Sequence, residues 1–229
     1  MEVSRNEKPK NNFLQKVRKL ATKKNIVLIF DECSSGFREN FGGLHLKYKV
    51  NPDIMMLGKA LGNGYAITAV VGKKEIMKEA ENSFISSTFW TERIGPTAAL
   101  KCLEIMQKEK SWEYITNYGK KVINVWKKLA SNYNLKIKIA GLPALASFII
   151  VSDNFLKYKT FITQQMLNKN YLASNILYAS ISHDQKLLNN YAENLEKIFA
   201  IISKCEKGED LIDNYLKGPV CYTGFKRLN

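Results

Sequence analysis

An acid and a lysine each follow a short apolar segment of the sequence. Asp31 comes directly after NIVLIF, and Lys59 comes after IMMLG at the start of a glycine-rich turn. Lys59 is the only charged residue between Asp53 and Lys73, so its surroundings in the sequence are apolar. Burial favours the neutral form of an amine, and a neutral amine is a nucleophile for carbonyl compounds. The two residues therefore predict covalent carbonyl chemistry, with a salt bridge at the rim of a sheet as the structural alternative.

Three glycines, Gly58, Gly62 and Gly64, flank this lysine. Because glycine has no side chain, its backbone can approach a ligand closely. We expect the turn to leave room for a bound group beside Lys59.

The segments around the acid and the lysine predict an α/β fold. Residues 12–24 have a helical pattern that places Phe13, Val17 and Leu20 on one face. Residues 26–30 are all apolar, which indicates a strand that is covered on both faces. A helix before such a strand is typical of a parallel sheet, and ligands of these sheets lie beyond the carboxyl ends of the strands. We therefore expect the acid and the lysine to face one crevice.

The pattern of elements changes about half-way along the chain. We predict a larger α/β portion over residues 1–110, a connecting helix over 111–133 and a smaller α+β portion over 134–229. The sequence contains no internal repeat and no low-complexity segment.

The formal net charge is +14, and it is carried by thirty lysines against five arginines. Arginine is the usual residue for bidentate recognition of phosphates and bases, so this composition predicts weak and salt-sensitive binding to nucleic acid. A basic nucleic-acid-binding protein is one alternative function, but no specific nucleic acid partner is expected.

Metal and membrane functions lack a sequence signal. The four cysteines are widely separated without a C-x-x-C pair, which favours reduced thiols in a cytoplasmic protein. His45 and His183 have no companion ligand at metal-site spacing, so no metal site is expected. No apolar run approaches the roughly 18 residues that a membrane-spanning helix requires, so no membrane partner is expected.

The apolar strand that ends at Asp31 also permits a second interpretation of the function. IVLIFDE matches the apolar strand whose acids hold Mg²⁺ in P-loop ATPases. Those enzymes also need a G-x-x-x-x-G-K-[ST] loop. Here Lys59 is followed by Ala60, and no other stretch fits, so the ATPase interpretation is the weaker one.

Four stretches of the sequence carry a recognisable pattern: LIFDECSSGFR, PDIMMLGKALGNGYAITAVVGKKEIM, SSTFWTERIGPTAALKCLEIM and GPVCYTGFKRLN. Together, and in this order, they resemble class-III aminotransferases, which use pyridoxal phosphate on the type-I fold of PLP-dependent transferases. The glutamate-1-semialdehyde 2,1-aminomutase-like members are the most similar. The resemblance implies an α/β fold, in which part of the large-domain sheet is followed by a smaller C-terminal α+β domain.

The resemblance also implies roles for the site residues. Lys59 matches the lysine that holds pyridoxal phosphate as an internal aldimine and that moves protons once the substrate has displaced it. Asp31 matches the aspartate that pairs with the pyridine nitrogen, and a nearby anion keeps that nitrogen protonated. Cys33 takes the place of a valine that packs against one face of the ring, with simple core packing as the alternative.

Thr88 corresponds to the threonine that reaches the cofactor phosphate of the neighbouring subunit. It precedes a predicted helix whose N-terminus suits an anion. The step from Thr88 to Pro96 is longer than the usual spacing of the family, which leaves Thr91 as an alternative. A threonine that acts in the neighbouring subunit implies a homodimer.

The function implied by the resemblance is transfer of an amino group between a small-molecule amino donor and a carbonyl acceptor. The aminomutase-like members instead imply an isomerase that moves the group within one molecule. MEVSR resembles an internal strand end of the family, so we expect the chain to correspond to the carboxyl-terminal half only. The alternative is a truncated non-catalytic remnant, or a split-enzyme subunit that needs a partner chain.

Overall fold

A three-stranded sheet lies in the first half of the chain. Strands β1 (Ile29–Asp31), β2 (Ile54–Leu57) and β3 (Ala69–Gly72) lie side by side in that order. Strand β1 is parallel to β2, as expected, whereas β3 is antiparallel to β2. Asp31 is paired with Met56, so β1 and β2 end at the same edge of the sheet.

The computed structural model describes residues 8–222. The chain divides into two compact units, Met1–Thr116 and Asn117–Asn229. The first residues, MEVSR, and the last seven, TGFKRLN, carried part of the sequence argument and lie outside the described residues. The functional division at residues 110 and 133 stays a prediction.

Four α-helices accompany the sheet within the described part of the first unit, and a fifth helix runs across the boundary between the units. Each of the longer ones coincides with a segment whose periodicity predicted a helix. The helices are α1 (Phe13–Lys23), α2 (His45–Tyr48), α3 (Lys74–Met77), α4 (Ile94–Glu109) and α5 (Ser111–Asn132).

Helix α1 buries a different face from the one that carries Phe13 and Leu20. Leu14 and Ala21 are buried, whereas Phe13 and Leu20 are 58% and 57% exposed. The helix is oriented by its polar side chains as well as by its apolar ones, because Arg18 forms an ion pair with an aspartate beside β2. The predicted helix is confirmed, but the face that carries Phe13 and Leu20 is not the buried one.

Strand β1 is covered on one face only. Phe30 is buried, whereas Ile26, Val27 and Ile29 are exposed. Burial on both faces was therefore predicted wrongly for the residues that the structure describes. Strand β1 is also an edge strand, and its outer backbone groups are not paired with another strand between residues 8 and 222. An apolar, unpaired edge of this kind favours association with another polypeptide.

The second unit contains a two-stranded antiparallel sheet and two long helices. Large aromatic side chains form its centre: the rings of Trp126 and Phe148 lie 4.8 Å apart, and those of Phe148 and Phe199 lie 5.8 Å apart. No helix in the described part of the chain is both long enough and apolar enough to cross a membrane. The elements of this unit are β4 (Ile137–Ala140), β5 (Ser147–Ile150), α6 (Phe155–Leu167) and α7 (Gln185–Glu206).

A buried aspartate connects α1 to the sheet. The carboxylate of Asp53 is 2.7 Å from Arg18 Nη1 and 2.7 Å from Lys73 Nζ, and it accepts a hydrogen bond from the backbone N–H of Leu28. The hydrogen bond from Lys73 is the main reason that the pKa of Asp53 lies well below its usual range, followed by the N–H of Leu28. Asp53 therefore stabilises the entry into β2 as an anion.

We expect Asp53→Asn to lower the free energy of unfolding at pH 7 by about 2 kcal/mol, because two cations lose their buried partner. A depressed pKa in the folded state stabilises the protein above the pKa of the unfolded aspartate and ceases to do so as the pH falls. The difference between the two proteins should therefore shrink below about pH 4.

Urea unfolding at pH 7 and pH 3 measures this difference. The exposed residue Glu104, which pairs with Lys101 on α4, supplies the control. Glu104→Gln should change stability by less than about 0.5 kcal/mol at either pH. A difference between wild type and Asp53→Asn that is the same at both pH values would contradict the assignment.

Candidate active site

The first two strands bring the predicted acid and the predicted lysine to one edge of the sheet. Asp31 is the last residue of β1, and Lys59 follows β2 after one glycine. Both side chains are exposed, and Lys59 Nζ donates a hydrogen bond of 2.5 Å to the hydroxyl of Ser34. The edge therefore carries a carboxylate and an amine on neighbouring strands, as the sequence predicted.

Asp31 is held in its ionised form by its own loop. Its Oδ1 accepts a hydrogen bond of 3.0 Å from the backbone N–H of Cys33. This bond is the main reason that the pKa of Asp31 is lowered, and the Cys33 thiol and the charge of Lys59 lower it further. An aspartate with a lowered pKa carries its negative charge throughout the neutral range.

Glu32, next to the predicted acid, points into the protein and is completely buried. Its carboxylate accepts hydrogen bonds from Ser35 Oγ at 2.9 Å and from the backbone N–H groups of Leu44 and His45 at 2.5 and 2.8 Å. The imidazole Nδ1 of His45 lies 2.9 Å from the same carboxylate. These contacts fix the loop after β1, and the DECSSG sequence had given no sign that the second acid has this structural role.

The lysine lies above a small apolar cluster and has a strained backbone. Leu57, Ala60 and Leu61 are buried and belong to one cluster with Phe37. Lys59 itself has a φ of 37°, which lies in the left-handed region that residues other than glycine rarely occupy. Strain of this kind persists only where the surrounding structure imposes it, and it is concentrated at functional sites.

Packing and backbone conformation explain why glycines occupy this turn, in addition to the predicted space for a bound group. A side chain on Gly62 would lie 2.3 Å from the carbonyl oxygen of Tyr65, and Gly64 has a φ of 107°. Gly58 has an extended backbone that other residues can adopt. A Cβ at Gly58 would lie 3.5 Å from Cys33 Sγ, so the thiol lies beside the turn that carries Lys59.

Thr88 and Thr91 lie in an exposed segment before α4. The start of α4 does not offer the anion site that the sequence suggested, because its own Glu92 occupies it. The carboxylate of Glu92 accepts hydrogen bonds from the N–H groups of Ile94 and Gly95 at 2.6 and 2.8 Å. The next residue is a proline without an N–H, and the N–H of Thr97 is donated to a backbone carbonyl.

Asp31, Cys33 and Lys59 are thus brought together, and Thr88 lies in the exposed segment before α4. Sequence reasoning missed Ser34, the hydrogen-bond partner of Lys59. Its only sequence signal was its position three residues after the acid, and the adjacent Ser35 had an equal claim.

Solved structures with the same fold define the class of this protein. The FumI protein of Sphingopyxis sp. MTA144, solved in its PLP internal aldimine form, superposes with a TM-score of 0.81 and 18% identity; the match covers 94% of this chain and 53% of that one. Acetylornithine aminotransferase of Elizabethkingia anophelis superposes with a TM-score of 0.72 and 25% identity, covering 83% of this chain and 50% of that one. The fold is the type-I fold of PLP-dependent transferases, as predicted.

The sequence comparisons are consistent with that fold. The aminotransferase class-III family matches residues 7–172, and the chain belongs to that family. It is 36% identical over 157 residues to 3-aminobutyryl-CoA aminotransferase of Cloacimonas acidaminovorans, covering 68% of this chain and 38% of that protein. It is 29% identical over 208 residues to glutamate-1-semialdehyde 2,1-aminomutase of Polynucleobacter necessarius, covering 83% and 48%. The chain therefore spans half or less of the length of these curated relatives.

The backbone of Lys59 gives a prediction that does not depend on function. Lys59→Ala and Lys59→Gly both remove the amine, but only glycine adopts a φ of 37° without strain. We expect Lys59→Gly to be more stable than Lys59→Ala by about 1 kcal/mol in urea unfolding.

The exposed Lys101 of α4 supplies the opposite control. Within a regular helix alanine is favoured over glycine, so Lys101→Ala should be the more stable variant there by about 1 kcal/mol. Equal stability of the two Lys59 variants would show that the backbone of this residue is not strained.

Proposed function

We propose that this chain carries the lysine and the aspartate of a pyridoxal-phosphate-dependent amino-group transfer enzyme. The observation that supports the proposal is the position of Asp31 and Lys59 at the ends of two adjacent parallel strands in a class-III family member. Because the chain spans half or less of the length of its relatives, turnover is proposed for the enzyme as a whole.

The proposed roles follow from the chemistry of each side chain. The ionised Asp31 accepts a hydrogen bond from the protonated ring nitrogen of the cofactor and keeps that proton in place. The Lys59 amine would hold the cofactor by condensing with its aldehyde, which releases water, and when free it would take a proton from the substrate carbon or return it. Cys33 packs beside the ring. When bound, pyridoxal phosphate supplies the electron sink that stabilises a carbanion at that carbon.

The residues present fit the ring and the aldehyde of this cofactor, but the start of α4 does not fit its phosphate. Asp31 is anionic and Lys59 is exposed at the same edge, as those two contacts require. The N–H groups at the start of α4 are already used by Glu92 and by the helix itself. We therefore assign to Thr88 a hydroxyl contact with the phosphate of a neighbouring subunit, with Thr91 as the alternative.

The substrates and the setting are also proposals. We propose a small-molecule amino donor and a carbonyl acceptor, since two of its relatives are named an aminotransferase and an aminomutase and both reactions relocate an amino group. A homodimer in the cytoplasm, without a membrane or a specific nucleic acid partner, completes the proposal. A transfer between two molecules and an internal shift would use the same lysine and aspartate.

The first experiment tests attachment of the cofactor. We expect incubation with pyridoxal phosphate followed by borohydride to place the pyridoxyl group mainly on Lys59, with the other lysines as an internal reference in peptide mass spectrometry. Lys59→Ala should abolish this product. Asp31→Asn, which keeps the shape but loses the charge, should reduce it at least about tenfold.

The exposed Lys19 of α1 supplies a matched control, since Lys19→Ala should leave labelling of Lys59 unchanged. Labelling spread evenly over the surface lysines would contradict the proposed function.

The phosphate contact needs a separate measurement. If Thr88 binds the phosphate, Thr88→Ala should weaken binding of pyridoxal phosphate about tenfold, which corresponds to one hydrogen bond to a charged group. Thr91→Ala should change the affinity less than about twofold. Fluorescence titration gives the affinities, and light scattering gives the mass of the assembly. A larger effect of Thr91→Ala would reverse the assignment, and a strictly monomeric protein would exclude a contact between subunits.

A further inference from the structure

Ser34 contacts the lysine of the candidate site and has no role in the function proposed above. Its side-chain oxygen accepts a hydrogen bond of 2.5 Å from Lys59 Nζ. Ser34 is 6% exposed, whereas Lys59 is exposed, so a fixed residue meets a side chain that is otherwise free to move.

The position of Ser34 is set without any help from the lysine. The completely buried Glu32 accepts a hydrogen bond from Ser35 Oγ, and its backbone carbonyl accepts one of 2.8 Å from the N–H of Gly36. A side chain on Gly36 would lie 2.8 Å from Leu57 Cδ2, so the loop packs closely on β2. The backbone that carries Ser34 is therefore held by contacts that do not involve Lys59.

A lysine amine at the end of four methylene groups has many conformations, and a reaction with a bound aldehyde needs only a few of them. A fixed hydrogen-bond acceptor reduces this number. A hydroxyl also has one proton to donate and lone pairs to accept with, so it can bond to the ammonium form and to the neutral amine alike. The contact with Ser34 is thus compatible with both protonation states that the chemistry of Lys59 requires.

We propose that Ser34 is a positioning residue that holds the Lys59 amine at the edge of the sheet beside Asp31. The inference rests on the proposed function of Lys59. Ser34 does not itself touch the reacting carbonyl; it acts through the lysine.

The two neighbouring serines permit a matched test in the full chain. Ser34→Ala removes the hydroxyl that faces Lys59, Ser34→Thr keeps it, and Ser35→Ala removes the hydroxyl that faces Glu32. After borohydride reduction, we expect Ser34→Ala to lower pyridoxyl attachment to Lys59 about tenfold. Ser34→Thr should restore attachment to within about threefold of the wild type, and Ser35→Ala should retain it.

A small aldehyde separates positioning from a general loss of structure. Formaldehyde has no binding geometry to satisfy, so reductive methylation of Lys59 in Ser34→Ala should stay within about twofold of the wild type. A variant that unfolds would instead methylate buried and exposed lysines alike. If Ser34→Ala does not fold, Ser34→Cys, of nearly the same volume but with a weak hydrogen-bonding group, takes its place.

A measurement without cofactor tests the hydrogen bond itself. The rate at which the Lys59 ammonium protons exchange with water can be measured by ¹⁵N NMR, and the signal is assigned by its loss in Lys59→Arg. We expect this rate to be at least about fivefold faster in Ser34→Ala than in Ser35→Ala. Equal exchange, or pyridoxyl attachment that Ser34→Ala leaves unchanged, would overturn the positioning role. Absence of attachment in the wild-type chain would instead overturn the proposed function, and the two failures are thereby distinguished.

Discussion

The buried carboxylate of Glu32 is the constraint on which the candidate site depends. A carboxylate with no exposure is tolerated only if hydrogen bonds replace the water that it loses, and an uncompensated one costs several kcal/mol. These bonds come from the hydroxyl of Ser35, from the backbone N–H groups of Leu44 and His45, and from the imidazole of His45. The loop after β1 must therefore fold back over the sheet, and Ser34 is carried with it to a fixed place beside Lys59.

The side chains of the adjacent acids Asp31 and Glu32 point in opposite directions, because side chains alternate along an extended backbone. Asp31 faces the open edge and Glu32 faces the core. Their environments differ accordingly: the exposed carboxylate of Asp31 accepts a hydrogen bond from the backbone N–H of Cys33, while the buried one of Glu32 accepts its hydrogen bonds from the loop. Lys59 arrives from the next strand in a strained conformation, which the buried Ala60 and Leu61 that follow it help to impose. The site thus combines a rigid loop with a strained turn.

The position of Asp31 and Lys59 at one edge of the sheet could be predicted, because it depends on local sequence patterns. The contacts between side chains at that edge could not be predicted. Apolar runs that end in Asp31 and near Lys59 identify two strands, and parallel pairing brings their ends together without further information. Which of Ser34 and Ser35 contacts Lys59 depends on the backbone angles of a loop. A loop has no hydrophobic periodicity from which the direction of its side chains could be predicted. The exposure of Phe13 and Leu20 on α1 could not be predicted for a similar reason: the ion pair of Arg18 with Asp53 joins residues that are distant in sequence.

Under the proposed function, the described residues would contact the ring nitrogen and the aldehyde of pyridoxal phosphate, but the start of α4 would not supply donors for its phosphate. Under the proposed function, the anionic Asp31 suits a protonated ring nitrogen, and the Lys59 amine in its neutral form suits the aldehyde. At the start of α4, by contrast, Glu92 places a negative charge where a phosphate would need N–H donors. A dianion is repelled by a carboxylate, so these two groups cannot share one helix start. Under the proposed function the phosphate would therefore need donors other than the start of α4. Strand β1 also has an exposed apolar edge with no paired strand between residues 8 and 222, and such an edge favours association with another polypeptide.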